Sequence, residues 1–170
     1  MQGDFQTMLD ALAIHFAQYD FLLGSRPCLA DFALAGACKA HFICDPTPIS
    51  WLGNHRKMLF DYTERFFSEW PADVNPWLGE DRVPDTLGVI LDYLQGTYFH
   101  FASANIAAGL AGEKYYRYDY GYGSTQARTQ KRLNVARLHV RDELLRAGAN
   151  NNADIQALFA GRGVLEHYLA

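Results

Sequence analysis

The chain has 170 residues, 49% hydrophobic and 20% charged, a size at which folding buries roughly 70% of the unfolded chain's surface and sustains a proper core. A net charge of −4 excludes bulk attraction to nucleic acid or an anionic membrane, and eleven Phe with ten Tyr argue against disorder. Three Cys argue against a disulfide framework; with neither a signal-peptide pattern nor a run of 18 apolar residues, a cytoplasmic soluble protein is expected.

Helical periodicity begins near residue 5 and runs to about 19. Phe5, Met8, Leu9, Leu12, Ala13 and Phe16 share one face, with Asp4 as the expected cap. Gly24 and Pro27 mark a turn. A second helix is expected over about 29 to 44, with Asp31, Lys39 and His41 as its only strongly polar members. A helix apolar nearly all round belongs in a core, so it is the expected centre of a bundle. The run Asp45-Pro46-Thr47-Pro48 should end it.

Ser50 is placed to cap a third helix, from about 51 to 70, with Leu52, Leu59, Tyr62 and Phe66 facing inward. A loop with Pro76, Trp77 and Pro84 follows over 71 to 84. Asp85 opens a long helical segment to about 110, its stripe made of Leu87, Ile90, Leu91, Leu94, Tyr98, Phe101 and Ala102, with Gly96 as the expected kink. The tyrosine-rich run at 115–123 alternates and reads as extended. Residues 125 to 147 read as helix, and a short helix from about Asp154 ends the chain. No strand–helix–strand alternation occurs, so the expectation is an all-α helical bundle in one domain, with residues 85–170 as a helical extension.

The entry to the second helix is the most informative local signal. Cys28 and Asp31 have the spacing of a capping box, in which the cap side chain takes the N3 amide and the N3 acid takes the cap amide. Pro27 and Phe32 stand where a hydrophobic staple would form. A thiol is a weak acceptor, so the Cys28 half of the box should be poor. The alternative is that Cys28 is simply a small buried apolar residue.

This stretch, Phe21-Leu-Leu-Gly-Ser-Arg-Pro-Cys-Leu-Ala-Asp31, resembles the "F-L-x-G-x-x-x-S/T-x-A-D" run of the glutathione S-transferase C-terminal domain. Phe21, Leu22, Gly24, Ala30 and Asp31 match; Cys28 stands where the family prefers Ser or Thr. Tyr62 and Arg65 stand near the family's "W-x-x-R" pair. The resemblance is good over 5–70 and looser beyond. It implies a helical bundle that supplies the hydrophobic substrate pocket and part of a dimer contact in glutathione conjugation to an apolar electrophile. In that family the thiol is activated in a thioredoxin-like half preceding this run. Only 20 residues precede it here, so that half is expected to be absent, with glutathione a co-substrate only if the half is supplied. Val83-Pro84-Asp85-Thr86 is similar to part of the family's glutathione-holding pattern, but Tyr93 and Leu94 fall one position late and the strand and turn between proline and acid are missing. Pro84 and Asp85 read better as a helix start.

Other clusters are weaker. Cys38, His41, Cys44 and Asp45 are metal-ligand types, but on an α-helix Cys38 and Cys44 are about 9 Å apart along the axis, too far to meet at one zinc ion. A cysteine nucleophile beside His41 would need exposure and a lowered pKa. Arg128, Lys131, Arg132, Arg137, Arg141 and Arg146 form a basic series on one expected helix, interrupted by Asp142 and Glu143, and read as a solvated face. The Tyr115–Tyr122 run fits either an aromatic ligand or a segment pinned to the bundle. No catalytic, cofactor-binding or metal-binding residue is assigned; Cys28 and Asp31 are a structural pair. Two functions follow: the substrate-pocket and dimer domain of a glutathione transferase-like protein, or a non-catalytic protein-binding or assembly module of the same fold. The expected partner is accordingly an apolar electrophile, another protein or a second copy.

Overall fold

The computed structural model describes residues 2–67, 78, 82–119, 121, 123–149 and 151–169. The described chain is mostly helical, with one two-stranded sheet, and divides into two compact units at Ile90 and Leu91.

The first unit begins with α1 (Gln2–Phe16), which starts two residues before Asp4, so Asp4 lies in the first turn rather than at the cap. Leu9 and Leu12 are buried as the periodicity requires, and His15 is buried with them. The turn after α1 is a bridge between Phe21 and Gly24, whose amides and carbonyls bond reciprocally at 2.8 and 3.1 Å. Gly24 has φ +114°, and a Cβ there would meet Leu78 Cγ at 3.1 Å, so glycine is needed twice over.

Helix α2 (Leu29–Ala37) is shorter than expected, because the chain passes into a π-turn over Cys38–Phe42, closed by Ile43 N–H donating to the Cys38 carbonyl at 3.1 Å. The Pro-rich run does not merely end that helix. Pro46 takes the first turn of α3 (Pro46–Trp51), where its missing N–H costs nothing. Ser50 is therefore inside α3, its hydroxyl donating to the Thr47 carbonyl, and caps nothing. A 3-10 turn, Gly53–His55, leads into α4 (Arg56–Phe67), while 68–70 of the expected third helix and Pro76 and Trp77 of the loop lie outside the described residues.

Leu59, Tyr62, Thr63 and Phe66 form the buried face of α4. The core joins them to Leu9, Phe21, Ala35, Cys38, Ile43 and Leu52. Phe16 stacks on Tyr62 at 4.3 Å, with Phe21 and Phe66 edge-on to one another at 6.1 Å.

The long segment after Asp85 is two helices: α5 (Leu87–Gly96) and α6 (Tyr98–Leu110), broken at Thr97 (φ −129°, ψ −70°) directly after the glycine expected to kink it. In the second unit α6 carries the principal deviation from an all-α fold. Strand β1 (Tyr115–Asp119) pairs antiparallel with β2 (Ser124–Arg128), in the register Tyr115 to Arg128 and Asp119 to Ser124. Gly121 and Gly123 take positive φ of 84° and 130° in the connection and reverse the chain, so Thr125–Arg128 is strand where helix was expected. Helix α7 (Lys131–Arg146) begins six residues later than its sequence pattern suggests. The last helical stretch is divided by Gly161 and Gly163, both at positive φ, into α8 (Ala153–Phe159) and α9 (Val164–Leu169). Asn152 caps α8 by accepting from Asp154 N–H and Ile155 N–H at 3.0 and 3.1 Å.

Asn105 ties α6 to the start of α7. Its side-chain amide donates to the Gln130 carbonyl at 3.0 Å and accepts from Gln130 N–H at 2.8 Å. No helix among the described residues is long and apolar enough to cross a membrane.

Candidate interaction surface

The capping pair Cys28 and Asp31 is the polar centre of the first unit. Asp31 is fully buried. Its Oδ2 accepts Cys28 N–H at 2.9 Å, and its Oδ1 accepts Leu22 N–H at 2.9 Å and the Tyr62 hydroxyl at 3.2 Å. Tyr62 is also within 3.2 Å of the Asp31 carbonyl. One carboxylate thus caps α2, holds the turn after α1 and anchors α4. Cys28 faces the N3 amide in capping-box geometry without making a regular cap hydrogen bond, as a weak sulfur acceptor should. Burial pushes the Tyr62 phenol well above its ordinary range, with Asp31 adding to the shift, so Tyr62 stays a neutral donor.

A second polar tie surrounds His15, also fully buried. Nε2 lies 3.1 Å from the Phe21 carbonyl, which can only accept, so this nitrogen carries the proton. Nδ1 then accepts from the Thr86 hydroxyl at 2.8 Å. Tyr19 stacks on the imidazole at 5.4 Å and donates its hydroxyl to Asp85 at 3.0 Å. Asp85 and Thr86 therefore join the start of α5 to the end of α1. Burial lowers the His15 pKa below 6.5, against smaller opposing effects of the Phe21 carbonyl, Asp31 and Asp85. The sequence offered little warning of this histidine beyond its place on the apolar face of α1.

The expectation of an enclosed central helix fails at α2. Asp31 and Ala35 are its buried residues, while Leu29 is 86% and Phe32 58% exposed, and Ala30, Ala33 and Gly36 are exposed beside them. Among the described residues, the helices of this unit cover one side of α2 only. Phe32 meets Phe66 edge-on at 4.7 Å. Phe66 in turn meets Phe67 at 5.7 Å, and Phe67 is 58% exposed. Lys39 Nζ lies 5.7 Å over the Phe67 ring and 3.2 Å from Glu64. Leu29, Phe32 and Phe67 are thus part of one apolar surface, bordered by an internally neutralised ion pair.

The metal-type residues do not gather. Cys38 is buried, His41 and Cys44 are exposed, His41 pairs with Asp45 at 3.2 Å, and no three His, Cys, Asp or Glu side chains converge among the described residues. Burial pushes the Cys38 thiol up to about 12, which removes its thiolate and its nucleophilicity at neutral pH. Arg128 belongs to β2 and not to the helix carrying the other basic residues; Arg141 and Arg146 pair with Asp142 and Glu143. Tyr116 and Tyr118 are pinned to α6 through Phe101, at 6.3 and 5.4 Å, while Tyr120 and Tyr122 lie outside the described residues.

Two clefts have mixed linings. In the first unit, one of about 370 Å³ lies between Phe16 and Met58, rimmed by Lys57, Asp61 and Arg65. In the second, one of about 420 Å³ contains Ser103 and His167, whose Oγ and Nδ1 are 3.2 Å apart. His167 stacks on Phe99 at 4.7 Å, and burial, reinforced by Arg137, lowers its pKa. Among the described residues no carboxylate is bonded to its ring, so the pair lacks the third group that orients a catalytic base.

No family model matches the chain, and comparison with curated proteins and with solved structures likewise finds no match.

Proposed function

We propose that the chain works as a helical binding or assembly module of the glutathione S-transferase C-terminal type, acting through the open apolar face of α2. The observation that carries this reading is the exposure of Leu29 and Phe32 on α2, joined through Phe66 to exposed Phe67 at the end of α4, while the opposite side of α2 is fixed by the buried Asp31 hub. An apolar patch of this kind costs solubility unless something covers it, and such patches mark contact sites. The hub also makes the face rigid, because α2 is held at its first turn by three hydrogen bonds to one carboxylate.

The transferase reading is supported by the same Asp31 arrangement, which gives the family-like run a physical role. It adds an apolar electrophile as ligand and glutathione as co-substrate. The exposed face favours the module reading over it.

The test pairs two assays on the full chain. At concentrations where the chain is monomeric, an anilinonaphthalene sulfonate dye should bind the native protein, and Phe32→Glu should remove most of the fluorescence gain while retaining far-UV circular dichroism. Titration with glutathione should give no heat, and conjugation to an aryl halide should give no turnover. Saturable glutathione binding with turnover, or dye binding unchanged by Phe32→Glu, overturns the reading.

A further inference from the structure

We infer that the outer face of the β1–β2 hairpin, a surface the α2 reading does not use, binds single-stranded nucleic acid, with its arginines on the phosphates and Tyr115 stacked on a base. The net charge of −4 conceals a division along the chain. Residues 1–90 carry six Lys or Arg against twelve Asp or Glu, whereas the second unit, 91–170, carries nine against seven. Charge asymmetry of this kind points to a polyanionic partner for the basic half. Arg141, Arg146 and Arg162 are neutralised by Asp142, Glu143 and Asp92. Lys114, Arg117, Arg128, Lys131 and Arg132 are exposed, and none of them forms an ion pair among the described residues. Strand pairing gathers the first three. Tyr116 and Tyr118 turn toward α6, so Tyr115, Arg117 and Asp119 lie on the exposed face with their partners Arg128, Gln126 and Ser124. Tyr115 stands directly across from Arg128, with Lys114 Nζ 5.5 Å from its ring centre. Arg117 is the diagonal neighbour of Arg128, a separation of about 7–8 Å. The one acid of this face, Asp119, sits at the turn and accepts Gly121 N–H at 2.8 Å.

The composition of the face selects the polyanion. Arginine's planar fork holds phosphate through paired N–H donors, and the diagonal separation of Arg117 and Arg128 is close to that of successive phosphates in an extended strand. Tyr115 is 50% exposed and offers a ring on which any base can stack. Gln126 and Ser124 are neutral and can donate to or accept from base edges. The basic run continues into Lys131 and Arg132, which open α7 at the positive end of its dipole, where cations are unfavourable unless an anion lies near. A duplex hides the faces of its bases, so it would engage the cations and leave the ring unused. An anionic membrane needs apolar side chains to insert, and Tyr115 is the only large one among the described residues of this face. An acidic peptide supplies carboxylates but no planar base for the ring.

The test is fluorescence anisotropy of the full chain with a fluorescein-labelled thymidine oligonucleotide of about twelve nucleotides, within the span such surfaces cover. At low salt, saturable binding is expected. It should fall as salt rises with a log–log slope of about −2, from three phosphate contacts at about −0.7 each. Arg117→Gln combined with Arg128→Gln should weaken binding at least tenfold and flatten the slope by about 1.4. Tyr115→Ala should weaken it at least fivefold and leave the slope unchanged, a result that charge alone does not give. Arg141→Gln, which removes a cation already paired with Asp142, should change neither. Each variant is compared at native circular dichroism. Absence of binding at low salt, indifference to the double substitution, or unchanged affinity in Tyr115→Ala overturns the inference. Equal or tighter binding of a duplex of the same length, of polyglutamate or of phosphatidylserine vesicles overturns it too, because the face would then act by charge alone.

Discussion

Replacing Asp31 by alanine removes the acceptor shared by Leu22 N–H, Cys28 N–H and the Tyr62 hydroxyl. Each hydrogen bond to a charged group is worth about 1.5–3 kcal/mol, and each buried donor left alone costs its desolvation. A simple sum overshoots, because burying the carboxylate was itself costly; breaking buried charged networks typically costs about 3–5 kcal/mol. The expected loss for Asp31→Ala is therefore about 3–5 kcal/mol. Asp31→Asn keeps one carbonyl oxygen for one amide and turns an NH₂ group against the other, so about half that loss is expected. The assay is urea unfolding followed by tryptophan fluorescence, with Trp51 packed against Phe5 in the same unit as the mutation. At an m-value of about 2 kcal/mol/M, the alanine variant's midpoint should fall by roughly 2 M. A loss under about 1 kcal/mol for Asp31→Ala, or an asparagine variant as damaged as the alanine one, would refute the hub.

Cys28→Ser supplies a better acceptor at the cap and should stabilise the protein by about 0.5–1 kcal/mol, raising the melting temperature by about 1–4 °C; an unchanged or lower melting temperature contradicts the capping role. His15 is held neutral with its pKa lowered by burial, so the unfolded chain takes up the proton first as pH falls. Its contribution is fully present above pH 6.5 and is lost below it, so the unfolding midpoint should drop between pH 7.5 and 5.5 and do so less in His15→Gln. Asn105→Ala orphans both backbone groups of Gln130 and should cost about 1–3 kcal/mol, measured by thermal unfolding of the second unit's circular dichroism signal.

The sequence was most readable where one residue pattern had one physical outcome. Leu59, Tyr62 and Phe66 recur at helical spacing and are buried on α4 as that spacing requires. The Asp31 position was legible from its distance to Cys28, though its further bonds to Leu22 and Tyr62 were not, since they join segments up to 31 residues apart. The exposed face of α2 was misread because apolar composition on all sides says a helix can be buried, not that neighbours exist to bury it. The hairpin was half missed: alternation marked β1, while Ser-Thr-Gln-Ala-Arg has too little pattern to declare β2 without the glycine turn before it. His15 was invisible because its partners, Phe21 and Thr86, lie on other segments.

Sedimentation velocity of the full chain over a wide concentration range, run beside Phe32→Glu, tests most directly whether α2's open face is a contact surface. A weight-average mass that rises with concentration for the native chain and stays monomeric for Phe32→Glu is the predicted result. Identical profiles for the two proteins, together with dye binding unchanged by Phe32→Glu, would contradict it.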